Sequence, residues 1–205
     1  RHLFGPVHFY ALIGGLTAVM SWVTDAGMKV EAWGITFYVG STVFYTSLLL
    51  GVFVIYVFDG PKVTRIMIST IVGVSAIVPL IAMVLHLQNA LINDTRLMDV
   101  PMPSLRINSA SVLTTLVDLV FLAMMWEVLG KPGIKLKLGL RTFFTLLGVM
   151  WLDVLLFTTL AFAGTEGYLA IMKGTLVTRF LVAVLAFPML FAYIRWQRSE
   201  ERRVG

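Results

Sequence analysis

Six mostly apolar stretches constrain this chain more than any other feature. They occupy 3–22, 35–58, 63–87, 110–129, 138–162 and 168–193. A helix needs roughly 20 apolar residues to cross the ~30 Å hydrocarbon core of a bilayer, and lipid tolerates only structures that satisfy their own backbone polar groups. The expected fold is therefore all-α, a polytopic membrane bundle of six transmembrane helices. Composition agrees: 13% of residues are charged, against about 25% in soluble domains. Mean hydropathy is +0.90, more apolar surface than one globular core could hide. The expected organisation is a membrane domain over 1–194 followed by a basic extension, 195–205, that starts a linker to an output domain. Arg1 is not Met, so the chain is expected to begin inside a longer product. Its first apolar run leads straight into others and does not read as a cleavable signal.

The connections carry turn chemistry, Asp59-Gly60-Pro61 after the second run and Gly130-Lys131-Pro132-Gly133 after the fourth. The longest, 88–109, holds Asn93-Asp94 and Pro101-Met102-Pro103 and is expected to include an irregular or interfacial segment. Lys and Arg fall unevenly among these connections. Lys62, Arg65, Lys131, Lys135, Lys137, Arg141, Arg195, Arg198, Arg202, Arg203 and Arg1 share one side, against Lys29, Arg96, Arg106 and Lys173 on the other. Cytoplasmic loops are the basic ones, so both termini are expected in the cytoplasm, which agrees with an even number of spans. Trp22, Trp33, Trp126, Tyr168, Tyr193 and Trp196 fall near run ends, where aromatic belts form.

Several function classes are excluded or disfavoured. The chain has no cysteine, which removes disulfides and thiolate metal sites. His2, His8 and His86 are too far apart for a metal-spacing motif, and no P-loop, nucleophile elbow or dinucleotide fingerprint is present. No cofactor, metal or nucleic-acid partner is expected, and the pI of about 9.7 reflects the loops that orient the protein in its lipid. An enzyme is not expected either: Asp118 and Asp153 are paired carboxylates with no nucleophile or metal motif beside them.

The informative residues are the ionisable groups inside apolar runs, since each costs about 2.5–3.5 kcal/mol at a helix centre and so requires a partner or a wet cavity. Asp118 lies in the fourth run, Asp153 in the fifth and Arg179 in the sixth. At about 1.5 Å per residue they sit roughly 12, 14 and 16 Å from the non-cytoplasmic run ends, close to one level. The fifth and sixth runs are joined by a short loop, 163–167, so they are expected to be neighbours with an Asp153–Arg179 ion pair between them. Such a pair can pin two helices together, contact a ligand, or do both. Asp118 has no second cation at its level; it is protonated, bonded to a hydroxyl such as Thr114, or faces the same cavity. A surplus carboxylate favours a cationic or multiply donating small ligand, a preference that protonation would erase. His86, Gln88, Arg106, Asn108 and Tyr45 are candidates to complete a ligand site. Interfacial solvation of His86 and core packing of Tyr45 are the simpler readings of those two.

The fifth run, Leu152-Asp153-Val154-Leu155-Leu156-Phe157-Thr158-Thr159-Leu160-Ala161-Phe162-Ala163-Gly164, resembles a signature of the vitamin-uptake and queuosine-precursor transporter family. Arg179 ahead of Phe187-Pro188-Met189-Leu190 is similar to that family's last helix. Leu105-Arg106-Ile107 with Ala110-Ser111, Leu140-Arg141 ahead of Gly148, and the loop from Gly60 to Arg65 resemble its other helix starts and loops. The uncharged Leu48-Leu49-Leu50-Gly51-Val52-Phe53-Val54-Ile55 departs from the transporters, which carry acidic residues there, and a Gln expected near Met150 is absent. Those departures, with Phe44-Tyr45-Thr46-Ser47-Leu48-Leu49-Leu50-Gly51-Val52 and Tyr56-Val57-Phe58-Asp59-Gly60-Pro61, resemble more closely the related vitamin-uptake-like sensor domain. This resemblance implies a multi-pass input module in the bacterial cytoplasmic membrane, ahead of a histidine-kinase or diguanylate-cyclase output. It implies a nucleobase- or vitamin-like ligand among the fourth to sixth runs and leaves room for a homodimer. The alternative it implies is a secondary transporter of a queuosine precursor or vitamin-like compound.

Overall fold

Helices dominate the chain. The computed structural model describes residues 5–32, 35–38, 40–92, 102–134 and 136–204. Five α-helices run through them: α1 (Gly5–Asp25), α2 (Tyr45–Ile92), α3 (Leu105–Gly130), α4 (Leu138–Phe162) and α5 (Tyr168–Val204). All five are long and apolar enough to cross a membrane, which makes the class that of a helical membrane protein. Arg1, His2, Trp33, Asn93, Asp94, Arg96, Pro101 and Lys135, used in the sequence reading, lie outside the described residues.

Two departures from the expected elements have local causes. The second apolar run does not begin as a helix. Ile35–Tyr38 is a strand, β2, paired antiparallel with β1 (Lys29–Ala32) so that Lys29 lies opposite Tyr38 and Ala32 opposite Ile35. Ile-Thr-Phe-Tyr is a β-branched and aromatic sequence suited to a strand, and apolarity alone did not separate it from helix. A five-residue π-helix, Gly40–Phe44, then leads into α2. The second departure is that six runs yield five helices. The runs at 35–58 and 63–87 join into α2, 48 residues long, which as a straight helix would measure roughly 72 Å. It is not straight: Gly60 adopts φ 79° and ψ −178°, a combination essentially confined to glycine. Pro61 follows, where a helix start tolerates its missing N–H.

The two arms of α2 have opposite environments. In the first arm, Leu48, Leu49, Val52, Phe53 and Ile55 are fully buried, and Tyr45 and Tyr56 nearly so. Residues 51–56 are buried without interruption, which covers every side of the helix, and a helix apolar all round is one enclosed by its neighbours. Its lack of charge follows directly. In the second arm Met67 and Ile71 are buried, while Ile66, Ile77, Leu80, Ile81, Val84 and Leu87 point outward, a surface suited to lipid. α1 packs against α2, α2 against α3, α3 against α4 and α4 against α5, and α5 closes back on α2 and β2. Gly51 lets α1 come close: a Cβ there would lie 2.1 Å from Ile13 Cδ1.

Arg141 and Trp126 illustrate how burial changes a residue's role. Both Nε and an Nη of Arg141 donate to the Trp126 carbonyl, at 2.8 and 2.5 Å, and its guanidinium lies 3.8 Å from the indole centroid. The last turns of α3 thus receive a cation at the negative end of the helix dipole. Trp126 itself is 5% exposed and packs edge-on against Phe53 at 5.1 Å, so it belongs to the core rather than to an aromatic belt. Trp22 and Trp196 are exposed, as belt residues would be. The extension at 195–204 continues α5 without a break.

Candidate functional site

Four helices deliver five polar side chains into the middle of the bundle. Asp153, from α4, and Arg179, from α5, form an ion pair with Nη2 2.5 Å from Oδ2, the pairing expected from their depths. Arg179 is 1% exposed and Asp153 6%. A second Arg179 nitrogen donates to Thr46 Oγ1 at 3.4 Å. Asp118, from α3, is fully buried and accepts a hydrogen bond from the Tyr45 hydroxyl at 2.5 Å. Thr114, the hydroxyl partner considered from sequence, leaves its own Oγ1 without a partner. Tyr45 joins the two halves of the cluster, because its ring face also lies 4.7 Å from the Arg179 guanidinium carbon, within the range of a cation–π contact.

A narrow cleft opens onto this cluster. Met20, Thr24, Tyr45, Ser111, Thr115, Asp153, Phe157 and Arg179 line about 320 Å³ of empty space. The cavity proper is about 20 Å³, room for roughly one water. The wall therefore combines an ion pair, hydroxyls and two apolar surfaces, Met20 and Phe157. Asp118 stands behind Tyr45 rather than on the cleft, so it orients the phenol. Asp118 Oδ1 and Arg179 Nε are buried without hydrogen-bond partners. Arg179 pairs with Asp153 while Asp118 is held by Tyr45, so the buried centre contains two carboxyl groups and one guanidinium.

The remaining candidates lie elsewhere. Arg106 donates to the carbonyls of Leu160, at 3.0 Å, and Ala163, at 2.6 Å, tying the start of α3 to the end of α4. Asn108 donates to Asp25 Oδ1 at 2.8 Å, tying α3 to the end of α1. At 12 residues from Asp118, Arg106 is roughly 18 Å along the helix from it. Gln88 is exposed near the end of α2, and the half-buried His86 has an unpartnered Nε2; neither lines the cleft. Sequence reasoning missed Thr46, Ser111, Thr115, Thr24, Met20 and Phe157. A signal was present for some of them: Ser111, Thr115 and Asp118 follow helical spacing on one face of α3, and Asp153 and Phe157 are four apart on α4.

Helices long and apolar enough to cross a membrane, packed around a buried polar centre, define a polytopic helical membrane domain. The chain belongs to the vitamin uptake-like sensor family, whose model matches residues 1–194. No curated protein and no solved structure matches it significantly.

Proposed function

We propose that this chain is the membrane input domain of a bacterial signalling protein of histidine-kinase or diguanylate-cyclase type, binding a nucleobase- or vitamin-like molecule among α3, α4 and α5. The observation that carries this reading is the Asp153–Arg179–Tyr45 wall of the cleft. The Asp153 carboxylate and the hydroxyls on the cleft wall suit a ligand rich in N–H donors, and Met20 and Phe157 provide flanks for a flat ring. The space is small, so ligand entry requires helices to move apart, and movement of α5 would reach the chain's end directly. Breakage of α2 at Gly60 supports two spans from that element, hence six in all and both termini on the basic, cytoplasmic side.

The test is direct. Full-length protein purified in mild detergent should retain a small molecule detectable by mass spectrometry, or gain thermal stability from a panel of nucleobases and vitamins. Asp153→Asn should abolish the gain. No retained compound and no stabilising one would sink the reading. Uptake of labelled compound into vesicles containing the protein, above that of empty vesicles, would instead favour a transporter, the role suggested by the likeness of the fifth run to the transporter signature.

A further inference from the structure

A second cleft lies away from the ligand site, at the basic end of the bundle. It is formed where α2 breaks: Tyr56 precedes the break, Pro61, Thr64, Arg65 and Ile68 follow it, and Val120, Ala123, Met124, Glu127, Val128 and Lys131 come from α3 and its end. Its volume is about 400 Å³, within the range of roughly 300–1,000 Å³ for small-molecule sites. The cleft is graded along its length. Arg65 and Lys131 are exposed at its rim. The other polar groups there are engaged: Tyr56 donates to Glu127 at 2.8 Å and Thr64 to the Gly60 carbonyl at 2.9 Å. Below the rim the wall is Ile68, Val120, Ala123, Met124 and Val128, with Val120 and Met124 each about half exposed.

The length of this wall matches a leaflet. Lys131 and Val120 are 11 residues apart, roughly 16 Å along α3, and half of a ~30 Å hydrocarbon core is about 15 Å. Two cations at headgroup level above one leaflet's depth of apolar groove complement a phosphate with an acyl chain beneath it. Basic pockets between membrane helices bind anionic headgroups for this electrostatic reason. We infer that the cleft between the α2 break and the end of α3 is a binding site for an anionic phospholipid, with Arg65 and Lys131 on the phosphate and the Val120–Met124 wall along an acyl chain.

The experiment uses the whole chain in detergent, titrated with phosphatidylglycerol, with phosphatidylcholine of the same acyl chains, and with glycerol phosphate. Binding is followed by melting temperature and native mass spectrometry. Phosphatidylglycerol is expected to raise the melting temperature and stay bound, with phosphatidylcholine weaker. The double variant Arg65→Gln/Lys131→Gln should lose roughly tenfold or more of the anionic preference, Met124→Trp should lower binding of both lipids by filling the groove, and Lys173→Gln should bind as wild type. Should the double variant fold poorly, each single glutamine variant carries the test, at about fivefold. Unchanged phosphatidylglycerol binding in the rim and groove variants would overturn the proposal. An equal shift from glycerol phosphate would too, since it would make the occupant a soluble anion. Disulfide-linked dimers of Met124→Cys in the cysteine-free chain would assign the groove to a second copy instead. None of these outcomes depends on the ligand site at Asp153.

Discussion

At the residue scale, the buried cluster is asymmetric in charge, and the asymmetry sets what each substitution does. Asp153 and Asp118 flank a region with one guanidinium, Arg179, and Tyr45 contacts both sides of it. Breaking a buried pair by removing one partner costs about 3–5 kcal/mol, because the other charge stays behind in low dielectric. Arg179→Leu leaves two carboxyls near one another without a cation, whereas Asp153→Asn leaves Arg179 with the Tyr45 ring and Thr46. Both variants are expected to lower the melting temperature in detergent, Arg179→Leu more, and the double variant Asp153→Asn/Arg179→Leu should recover part of the loss of Arg179→Leu. Equal stability of all three with wild type would mean that the pair is not buried. Tyr45→Phe keeps the ring over the guanidinium but strands the Asp118 carboxyl, and should cost about 1–3 kcal/mol.

At the scale of the elements, α2 decides the architecture. Helices this long do not fit one bilayer crossing, and the break falls at the residue whose backbone only glycine adopts comfortably. A Cβ at Gly60 would touch nothing within 4 Å, so a substitution there acts through the backbone alone. Gly60→Ala is expected to cost about 1–3 kcal/mol, read as a lower melting temperature, while Pro61→Ala should cost much less because its position is a helix start. If Gly60→Ala melted like wild type, the break would not depend on the positive φ. The same turn also forms one wall of the second cleft, so one glycine positions two features. The long α5 places Arg179 and the 195–204 extension on one continuous rod of 37 residues.

At the scale of the whole molecule, the proposed topology has a clean test because the chain contains no cysteine. Single cysteines at Thr165, between α4 and α5, and at Lys131 and Ser199, at the opposite end, report sidedness against an unlabelled background. With both termini cytoplasmic, an impermeant maleimide should label Thr165→Cys in intact cells, and Lys131→Cys and Ser199→Cys only after permeabilisation. Labelling of Ser199→Cys in intact cells would reverse the orientation, and labelling of Lys131→Cys and Ser199→Cys from opposite sides would give an odd number of spans between them.

Hydropathy alone was enough to establish a helical membrane chain, since five described helices of membrane length arise from runs too long for anything else. It also located the ion pair: Asp153 and Arg179 are costly in lipid, lie at similar depth and belong to helices joined by a short loop, so pairing was their least expensive arrangement. The partner of Asp118 was not legible. Tyr45 is 73 residues away, and helical periodicity carries no information about which face of a distant helix turns toward it. Apolarity likewise could not tell the strand at Ile35–Tyr38 from the helix it precedes, nor show that Trp126 is enclosed rather than at a membrane surface. Nor could it reveal which arm of α2 is surrounded by protein. Both arms are apolar, because lipid and a protein core select the same residues, and only the packing of α1, α3, α4 and α5 distinguishes them.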